Sequence, residues 1–140
     1  TGRGALQANF GKGEHQLLVL SLHLALSPQA RKKQLTYICE LLAANPYYVI
    51  MGDMNCGHAQ AAEEFNRRGL DVTVGKCIQP TFPRWKPKYH YDQIWVSNNL
   101  RIIDCQVMEL GVSDHLPIMM EIEIPDKLQN IKTIPKYYLN

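Results

Sequence analysis

The sequence predicts a mixed α/β or α+β sandwich domain: one mostly antiparallel sheet with two helices on one of its faces. Three observations indicate this fold class. The 140 residues, 46% of them hydrophobic, suffice for one small domain with a core but not for two. About six segments show the apolar runs or the alternation of strands, and two show the start signals and spacing of helices. Elements in this proportion pack in layers.

A predicted hairpin opens the chain. Residues 4–10 alternate loosely, and a glycine-containing turn at 11–14 separates them from a second strand at 16–24. The second strand contains the run Leu-Leu-Val-Leu at 17–20, which is apolar in every position. We therefore expect it to be buried on both faces in the middle of the sheet.

The first helix and the third strand follow the hairpin. Ser27 suits a helix N-cap and Pro28 the first helical position. The helix should run to about residue 43, with the basic residues at 31–33 in solvent. The continuous apolar run at 47–51 then predicts another buried strand.

The second half of the domain contains a helix, a long loop and three strands. The helix is predicted at 59–68, and residues 76–90, rich in Pro, Lys and Arg, predict a surface loop. The domain should occupy residues 1–124, with a Pro-containing tail at 125–140. The three strands are predicted at residues 91–97, 102–108 and 116–124.

Composition and cysteine spacing bear on which class of protein this is. The formal net charge of +2 is too small to predict nucleic-acid binding by itself, and no apolar run approaches the roughly 18 to 20 residues that cross a bilayer. Cys39, Cys56, Cys77 and Cys105 show no C-x-x-C or zinc spacing, so we expect reduced thiols in a cytoplasmic protein, although the sequence leaves two disulfides open. The chain has no initiator Met and enters a strand pattern almost at once, so we expect it to be part of a larger protein, with a processed small protein as the alternative.

Four short polar clusters lie beside predicted strands, where the ligand-binding residues of open α/β sheets gather. Each has an ordinary structural explanation when taken alone: a core histidine, a turn after a strand, an edge charge and a turn with an Asp cap. Carboxylates, an amide and imidazoles together suit metal binding, phosphate binding and proton transfer. In chain order the clusters are SLHL with His23, GDMN with Asp53 and Asn55, YDQI with Asp92, and SDHLP with Asp114 and His115.

These four motifs in this order resemble the endonuclease/exonuclease/phosphatase (DNase-like) superfamily over most of residues 3–124. GDMN is close to the usual G-D-x-N of the superfamily, and SDH is its usual terminal motif. RGAL at 3–6 and TFPRW at 81–85 also look like its bacterial metal-dependent hydrolases. The resemblance implies the C-terminal half of a four-layer fold, in which two sheets face each other and helices lie outside.

The resemblance also implies a divalent-metal-dependent phosphoesterase that uses Mg²⁺ or Mn²⁺ to hydrolyse a phosphodiester or phosphomonoester. Asp114 would be the metal ligand, and Asp53 and Asn55 could share the metal. Asp53 would otherwise orient or deprotonate the attacking water, and Asn55 would hydrogen-bond the scissile phosphate.

Two histidines complete the implied site. His115 would contact the phosphate and take part in proton transfer, and Asp92 would fix its tautomer. His23 would be the second histidine on the phosphate side. Gln93 stands where the family often has Arg or Tyr, which puts details of the substrate in doubt.

The family pattern is incomplete in this chain. The N-terminal half of such proteins supplies a Glu metal ligand, an Asn and a carboxylate that pairs with the first histidine, and we find no matching motif. We therefore expect the chain alone to bind metal weakly and to show little or no turnover. We also expect the inner face of its sheet to be bare, and to be covered by the missing half or by a second copy.

The loop at 76–90 contains cations and aromatic residues that suit a phosphate backbone and its bases, although a solvated loop explains them as well. Its candidate substrate-binding residues are Arg84, Trp85 and Lys86, with Lys76 and Lys88 nearby. DNA, RNA, a lipid headgroup and a small phosphate ester all stay open as substrates.

Two functions of other classes are also compatible with the sequence. One is a non-catalytic half-domain that binds nucleic acid or a partner chain, which the missing Glu ligand favours. The other is a serine hydrolase that uses Ser113 or Ser21, against which the absence of a G-x-S-x-G elbow counts.

Overall fold

Seven strands and two helices form within residues 3–12, 15–75, 79–109 and 111–128, the residues that the computed structural model describes. Three predictions concern residues outside these ranges: the cation of Lys76 in the loop, the reduced thiol of Cys77, and the tail beyond residue 128. The strands are β1 (Ala5–Lys12), β2 (His15–His23), β3 (Tyr47–Asp53), β4 (Val72–Val74), β5 (Asp92–Ser97), β6 (Arg101–Val107) and β7 (Ile118–Glu123), and the helices are α1 (Pro28–Leu42) and α2 (His58–Arg67).

The strands form two sheets. The central sheet has the order β1-β2-β3-β5-β4, in which β2 and β3 pair in parallel and all other neighbours are antiparallel. Within the described residues, β6 and β7 pair only with each other and form an antiparallel ribbon. The predicted α/β fold with a mostly antiparallel sheet and two helices is confirmed. The structure adds the separate β6–β7 ribbon, because strand periodicity does not tell which strands pair.

Both helices pack on one face of the central sheet. Leu35, Ile38 and Leu42 of α1 are buried, as their spacing predicts, and so is Phe65 of α2. Phe65 meets Trp95 of β5 edge-on, with ring centroids 5.3 Å apart. Each fully buried side chain of this size contributes about 1.5–3 kcal/mol of stabilisation by removal of apolar surface from water.

The opposite face of the central sheet is packed as well. Leu17, Val49, Ile94 and Val96 are buried there, beneath the β6–β7 ribbon and Leu128. The prediction of a bare inner face is therefore wrong for the middle of the sheet, because alternate apolar residues of β6 and β7 pack against it. The predicted burial of β2 and β3 on both faces is confirmed.

Local structure around α1 differs from its prediction at one residue. Ser27 is the N-cap and Pro28 lies in the first turn, as predicted, without a side-chain cap hydrogen bond. Arg31 is buried instead of solvated: its Nη1 donates to the carbonyl oxygens of Ala25, at 3.2 Å, and Leu26, at 2.6 Å. These bonds satisfy the buried guanidinium and hold the β2–α1 loop. The sequence also does not predict β4, because three residues are too few to show a period.

The described cysteines are free thiols. Cys39 and Cys56 are buried, and Cys105 is half-buried. None of the helices among the described residues has the length and hydrophobicity needed to cross a membrane. The cytoplasmic location stays a prediction.

Gly52 allows β3 to approach β2 closely. Its φ is +131°, and a Cβ at this position would lie 1.9 Å from the carbonyl oxygen of Leu22. Because the backbone would have to shift within a parallel pair, Gly52→Ala should lower the free energy of unfolding by about 3 kcal/mol or more in urea denaturation. The control is Gly4→Ala, whose Cβ would meet open space and should cost less than about 0.5 kcal/mol. Equal losses in the two variants would contradict the close approach.

Burial raises the pKa of the Cys39 thiol to about 11, and the nearby Arg68 guanidinium opposes this rise. A thiol with that pKa is only about one part in a thousand thiolate at pH 8, since each pH unit below the pKa reduces the thiolate tenfold. Iodoacetamide should therefore modify half-buried Cys105 before Cys39 in the folded chain, as measured by peptide mass spectrometry. Both should react at similar rates in urea; similar rates in the folded chain would show the prediction to be wrong.

Candidate active site

The strand pairing places three of the predicted site residues side by side. His23 at the end of β2 pairs with Asp53 at the end of β3, and Asp53 pairs in turn with Asp92 at the start of β5. Register partners on neighbouring strands project from the same face of a sheet. The three side chains therefore form a row along one edge of the central sheet.

The first imidazole–carboxylate pair joins His23 to Asp53. The Nε2 of His23 lies 3.3 Å from Oδ2 of Asp53, and the two side chains are 48% and 15% exposed. The other carboxylate oxygen, Oδ1, accepts the backbone N–H of Asn55 at 2.8 Å. From the sequence, the carboxylate partner of His23 is expected outside this chain, whereas the structure supplies Asp53 in that position.

Asn55 links the ends of β2 and β3. It has a φ of +49° in the turn after β3, and its Nδ2 donates to the carbonyl oxygen of Leu24 at 2.7 Å. Because β3 ends at Asp53, strand alternation does not place the side chains of Asp53 and Asn55 on the same face. In this structure the amide nitrogen of Asn55 holds the segment that follows His23.

The second imidazole–carboxylate pair joins His115 to Asp92. The Nδ1 of His115 lies 2.7 Å from Oδ2 of Asp92. Since a carboxylate only accepts, this contact assigns the ring proton to Nδ1 and leaves Nε2 free of it in the neutral ring. The predicted partnership of these two residues is confirmed in its geometry, and both side chains are mostly buried, at 25% and 19% exposure.

Thr81 is a site residue to which the sequence assigns no role. Its hydroxyl donates to Oδ2 of Asp92 at 2.5 Å, the same oxygen that contacts His115. Its carbonyl oxygen accepts the N–H of Leu116 at 2.9 Å, and its side chain is 1% exposed. The signal available in the sequence was the TFPRW segment, which resembles the family but does not reveal which atom the hydroxyl contacts.

Gln93 lies on the other side of the sheet from Asp92. Its Nε2 donates to the carbonyl oxygens of Cys56, at 2.6 Å, and His90, at 2.7 Å, and its Oε1 accepts the indole N–H of Trp95 at 2.9 Å. The departure from the family pattern at this position therefore has a structural consequence, because Gln93 joins β5 to the turn after β3 on the helical side.

Asp114 is the predicted metal ligand. Its side chain is exposed, and its Oδ1 accepts the Ser113 hydroxyl at 3.3 Å. Among residues 3–12, 15–75, 79–109 and 111–128, no group of three or more His, Cys, Asp or Glu side chains could hold a metal ion. Asp53 and Asp92 already bond to histidines. These residues alone do not fit a complete Mg²⁺ or Mn²⁺ site.

A cleft of about 320 Å³ opens beside the second pair. Asp92 and His115 line it together with residues of β2, β3 and the start of β7, so it lies where the central sheet meets the β6–β7 ribbon. The His115 ring is part of the wall of this cleft. The residues of the lining are Ser21, Met51, Gly52, Asp92, Ile94, Ser113, His115, Leu116, Pro117 and Ile118.

Aromatic rings adjoin the cleft. The ring of Phe82 lies 4.6 Å from that of His115, and Tyr91 stacks 5.9 Å from Phe82 and 5.1 Å from Tyr89. Trp85, a candidate substrate-binding residue, is 77% exposed. The candidates Arg84 and Lys86 are exposed as well and lie in the same loop, next to the site rather than inside it.

The chain is similar to proteins of known structure at low sequence identity. The mannosyl-6-phosphatase of Bacteroides thetaiotaomicron aligns with a TM-score of 0.72 and 18% identity over 86% of this chain and 57% of that one. The endonuclease/exonuclease/phosphatase from Bacteroides vulgatus gives 0.70 and 19% over 88% and 56%. D. rerio TDP2 complexed with single strand DNA product gives 0.68 and 16% over 86% and 62%.

These similarities establish the fold, and the chain spans little more than half the length of these structures. No curated protein matches the chain. The sequence model of the Endonuclease/Exonuclease/phosphatase family matches residues 10–115, which is most of the chain and includes His23, Asp53, Asp92 and His115. The chain belongs to the endonuclease/exonuclease/phosphatase family.

Proposed function

We propose that this chain carries the phosphate-contacting half of a divalent-metal-dependent phosphoesterase. The observation that supports the proposal is the alignment of two imidazole–carboxylate pairs, His23–Asp53 and His115–Asp92, by the register of three neighbouring strands. A purely structural role would not by itself require two such pairs at the same end of these strands. Paired imidazoles and carboxylates are the groups that transfer protons near neutral pH.

Hydrolysis of a phosphoester joins a water oxygen to phosphorus and releases an alcohol, so one proton leaves the water and another reaches the leaving oxygen. Nδ1 of His115 is bonded to Asp92, so a ring that also carries a proton on Nε2 would donate that proton to the leaving oxygen and return to the neutral Nδ1–H form. The Asp92 carboxylate stabilises the ring when it is protonated. Asp53, which contacts His23 and the N–H of Asn55, would orient or deprotonate the attacking water.

Mg²⁺ or Mn²⁺ would supply positive charge that offsets the negative charge of the phosphate oxygens. Asp114 is the candidate ligand in this chain, since its carboxylate is exposed and contacts only the Ser113 hydroxyl among the side-chain hydrogen bonds of the described residues. The remaining ligands would come from outside the described residues. This chain aligns with only 57% of the mannosyl-6-phosphatase chain, which supports the proposal that part of the metal site lies outside this chain.

A second candidate function is a half-domain that binds nucleic acid or a partner without hydrolysis. The absence of a clustered metal site among the described residues favours it. Binding that persists with no hydrolysis under any metal condition would distinguish it from the phosphoesterase.

The phosphoesterase activity should depend on residues outside this chain and on His115. We expect the 140-residue chain alone to hydrolyse no bis-p-nitrophenyl phosphate above the buffer rate, and the full-length gene product to hydrolyse it with Mg²⁺ or Mn²⁺ but not with EDTA. In that longer protein His115→Ala should lower the rate roughly 10²- to 10⁴-fold, as expected for loss of a proton-transferring group.

His15→Ala serves as the matched control, because His15 is exposed at the first residue of β2 and pairs with Lys12, at the far end of the strand from His23. It should leave the rate unchanged. Full activity of the chain alone would disprove the division of the site, and an unchanged rate in His115→Ala would disprove its assigned role.

The Thr81 hydroxyl should fix the tautomer of His115 through Asp92. Thr81→Val keeps the volume and removes the donor, whereas Thr81→Ser keeps the donor and removes a buried methyl group. Each should cost about 1 kcal/mol of stability. Only Thr81→Val should reduce the Nδ1–H tautomer of His115, as measured by nitrogen-15 NMR of the ring above its titration range. The same tautomer population in both variants would show that Thr81 has only a packing role.

A further inference from the structure

The loop before β5 ends in an ordered tip. Phe82 and Tyr89 form an isolated antiparallel bridge, so residues 83–88 make the tip of a short hairpin. Within this tip the N–H of Lys86 donates to the carbonyl oxygen of Pro83 at 3.0 Å. The backbone of the tip is therefore ordered before a ligand binds, so binding does not have to order it.

The tip is attached to the candidate active site. The backbone N–H of Arg84 donates to the carbonyl oxygen of Asp114 at 2.7 Å. Asp114 directly precedes His115, whose ring also contacts Phe82 at 4.6 Å. A ligand at the tip would thus be continuous with a ligand in the cleft.

The chemistry of the tip is cationic and aromatic. Trp85 is 77% exposed, and it is flanked by the exposed side chains of Arg84, Lys86 and Lys88. Residues 79–91 contain no Asp or Glu. No ion pair joins any of the three cations to an acidic side chain in the described part of the chain. Positive charge therefore surrounds an indole ring that has a free face.

We propose that this tip binds single-stranded nucleic acid, with Trp85 stacked on an unpaired base and the three cations against the flanking phosphates. A duplex keeps its base faces covered by their neighbours, whereas a single strand can offer one to the indole. The inference rests on the proposed function, because it takes the cleft beside His115 as the place where the phosphoester is cleaved. The half-exposed ring of Tyr89 and its stacked neighbour Tyr91 continue the aromatic surface from the tip towards that cleft.

The composition of the tip favours nucleic acid over a membrane surface. A loop that inserts into a bilayer interface combines its cations and Trp with aliphatic side chains. Residues 79–91 contain no Leu, Ile, Val or Met, and the rings of Phe82 and Tyr91 are packed against each other, with Phe82 also against His115, so Trp85 would have to insert without aliphatic side chains beside it. Stacking on a base requires no such neighbours.

The test is equilibrium binding of a fluorescently labelled single-stranded oligothymidylate to the 140-residue chain, in EDTA, followed by anisotropy. The strand should bind at least roughly tenfold tighter than a duplex of the same length. Trp85→Ala should weaken binding of the strand roughly 5- to 150-fold, the range for loss of one stacked base, and Trp85→Phe should weaken it less. The matched aromatic control is Tyr37→Ala, on the exposed side of α1 at 68% exposure, which should have no effect.

The cations are tested by the salt dependence of binding. Arg84→Gln with Lys86→Gln should reduce the slope of log affinity against log salt by about 0.7 for each phosphate that the variant no longer neutralises. Lys32→Gln with Lys33→Gln, exposed on α1, is the charge-matched control and should leave the slope unchanged.

Three results would overturn the proposal: equal or tighter binding of the duplex, unchanged affinity in Trp85→Ala, and Trp85-dependent binding to phosphatidylserine vesicles without binding to the oligonucleotide. The last would identify a membrane-surface loop instead. Because the assay needs neither metal nor turnover, its failure is distinguishable from failure of the phosphoesterase proposal.

Discussion

The pairing of β3 with β2 on one side and β5 on the other is the constraint on which the candidate site depends. Register partners in adjacent strands lie about 5 Å apart on the same face, so the row of His23, Asp53 and Asp92 follows from backbone hydrogen bonding. A slip of one residue in β3 would turn Asp53 to the helical side of the sheet. The apolar residues on both faces of β3 oppose such a slip, since Ile50 fits the helical layer and Val49 the ribbon layer.

Alternation along β5 extends this constraint to the rest of the site. Asp92, Ile94 and Val96 face the β6–β7 ribbon, whereas Gln93 and Trp95 face the helices. The segment that joins β6 to β7 passes close to Asp92, and the imidazole of His115 meets the carboxylate there, just before β7 begins. The second imidazole–carboxylate pair therefore forms where the ribbon packs against the sheet, so its geometry depends on that packing.

Much of the fold could be predicted from the sequence, because its helices and longer strands carry clear periodicity and turn signals. The boundaries of α1 follow from Ser27 and Pro28, and the burial of β2 from its unbroken apolar run. Short or nonlocal features could not be predicted: β4 is only three residues long, and the position of the β6–β7 ribbon depends on packing between distant segments. The buried Arg31 is bonded to backbone carbonyl groups, which no side-chain pattern encodes.

The candidate site, like the fold, could be predicted from the sequence only in part. The motifs locate His23, Asp53, Asp92 and His115 by residue type, and the pairing of Asp92 with His115 follows from the family resemblance. The partner of His23 does not follow from the motifs or the resemblance. Its contact with Asp53 requires the parallel alignment of two strand ends about thirty residues apart in the chain. Thr81 is missed for a related reason: a hydroxyl has many ordinary roles, and only the fold shows it bonded to the carboxylate that holds His115.

The β6–β7 ribbon changes where a partner of this chain would bind. A two-stranded ribbon is marginally stable alone, and here it gains stability from apolar packing on the central sheet. That packing removes most of the inner face as a docking surface. Within the described residues, each ribbon strand pairs only with the other. The ribbon also shapes the candidate site, because Ile118 at the start of β7 lines the cleft together with His115.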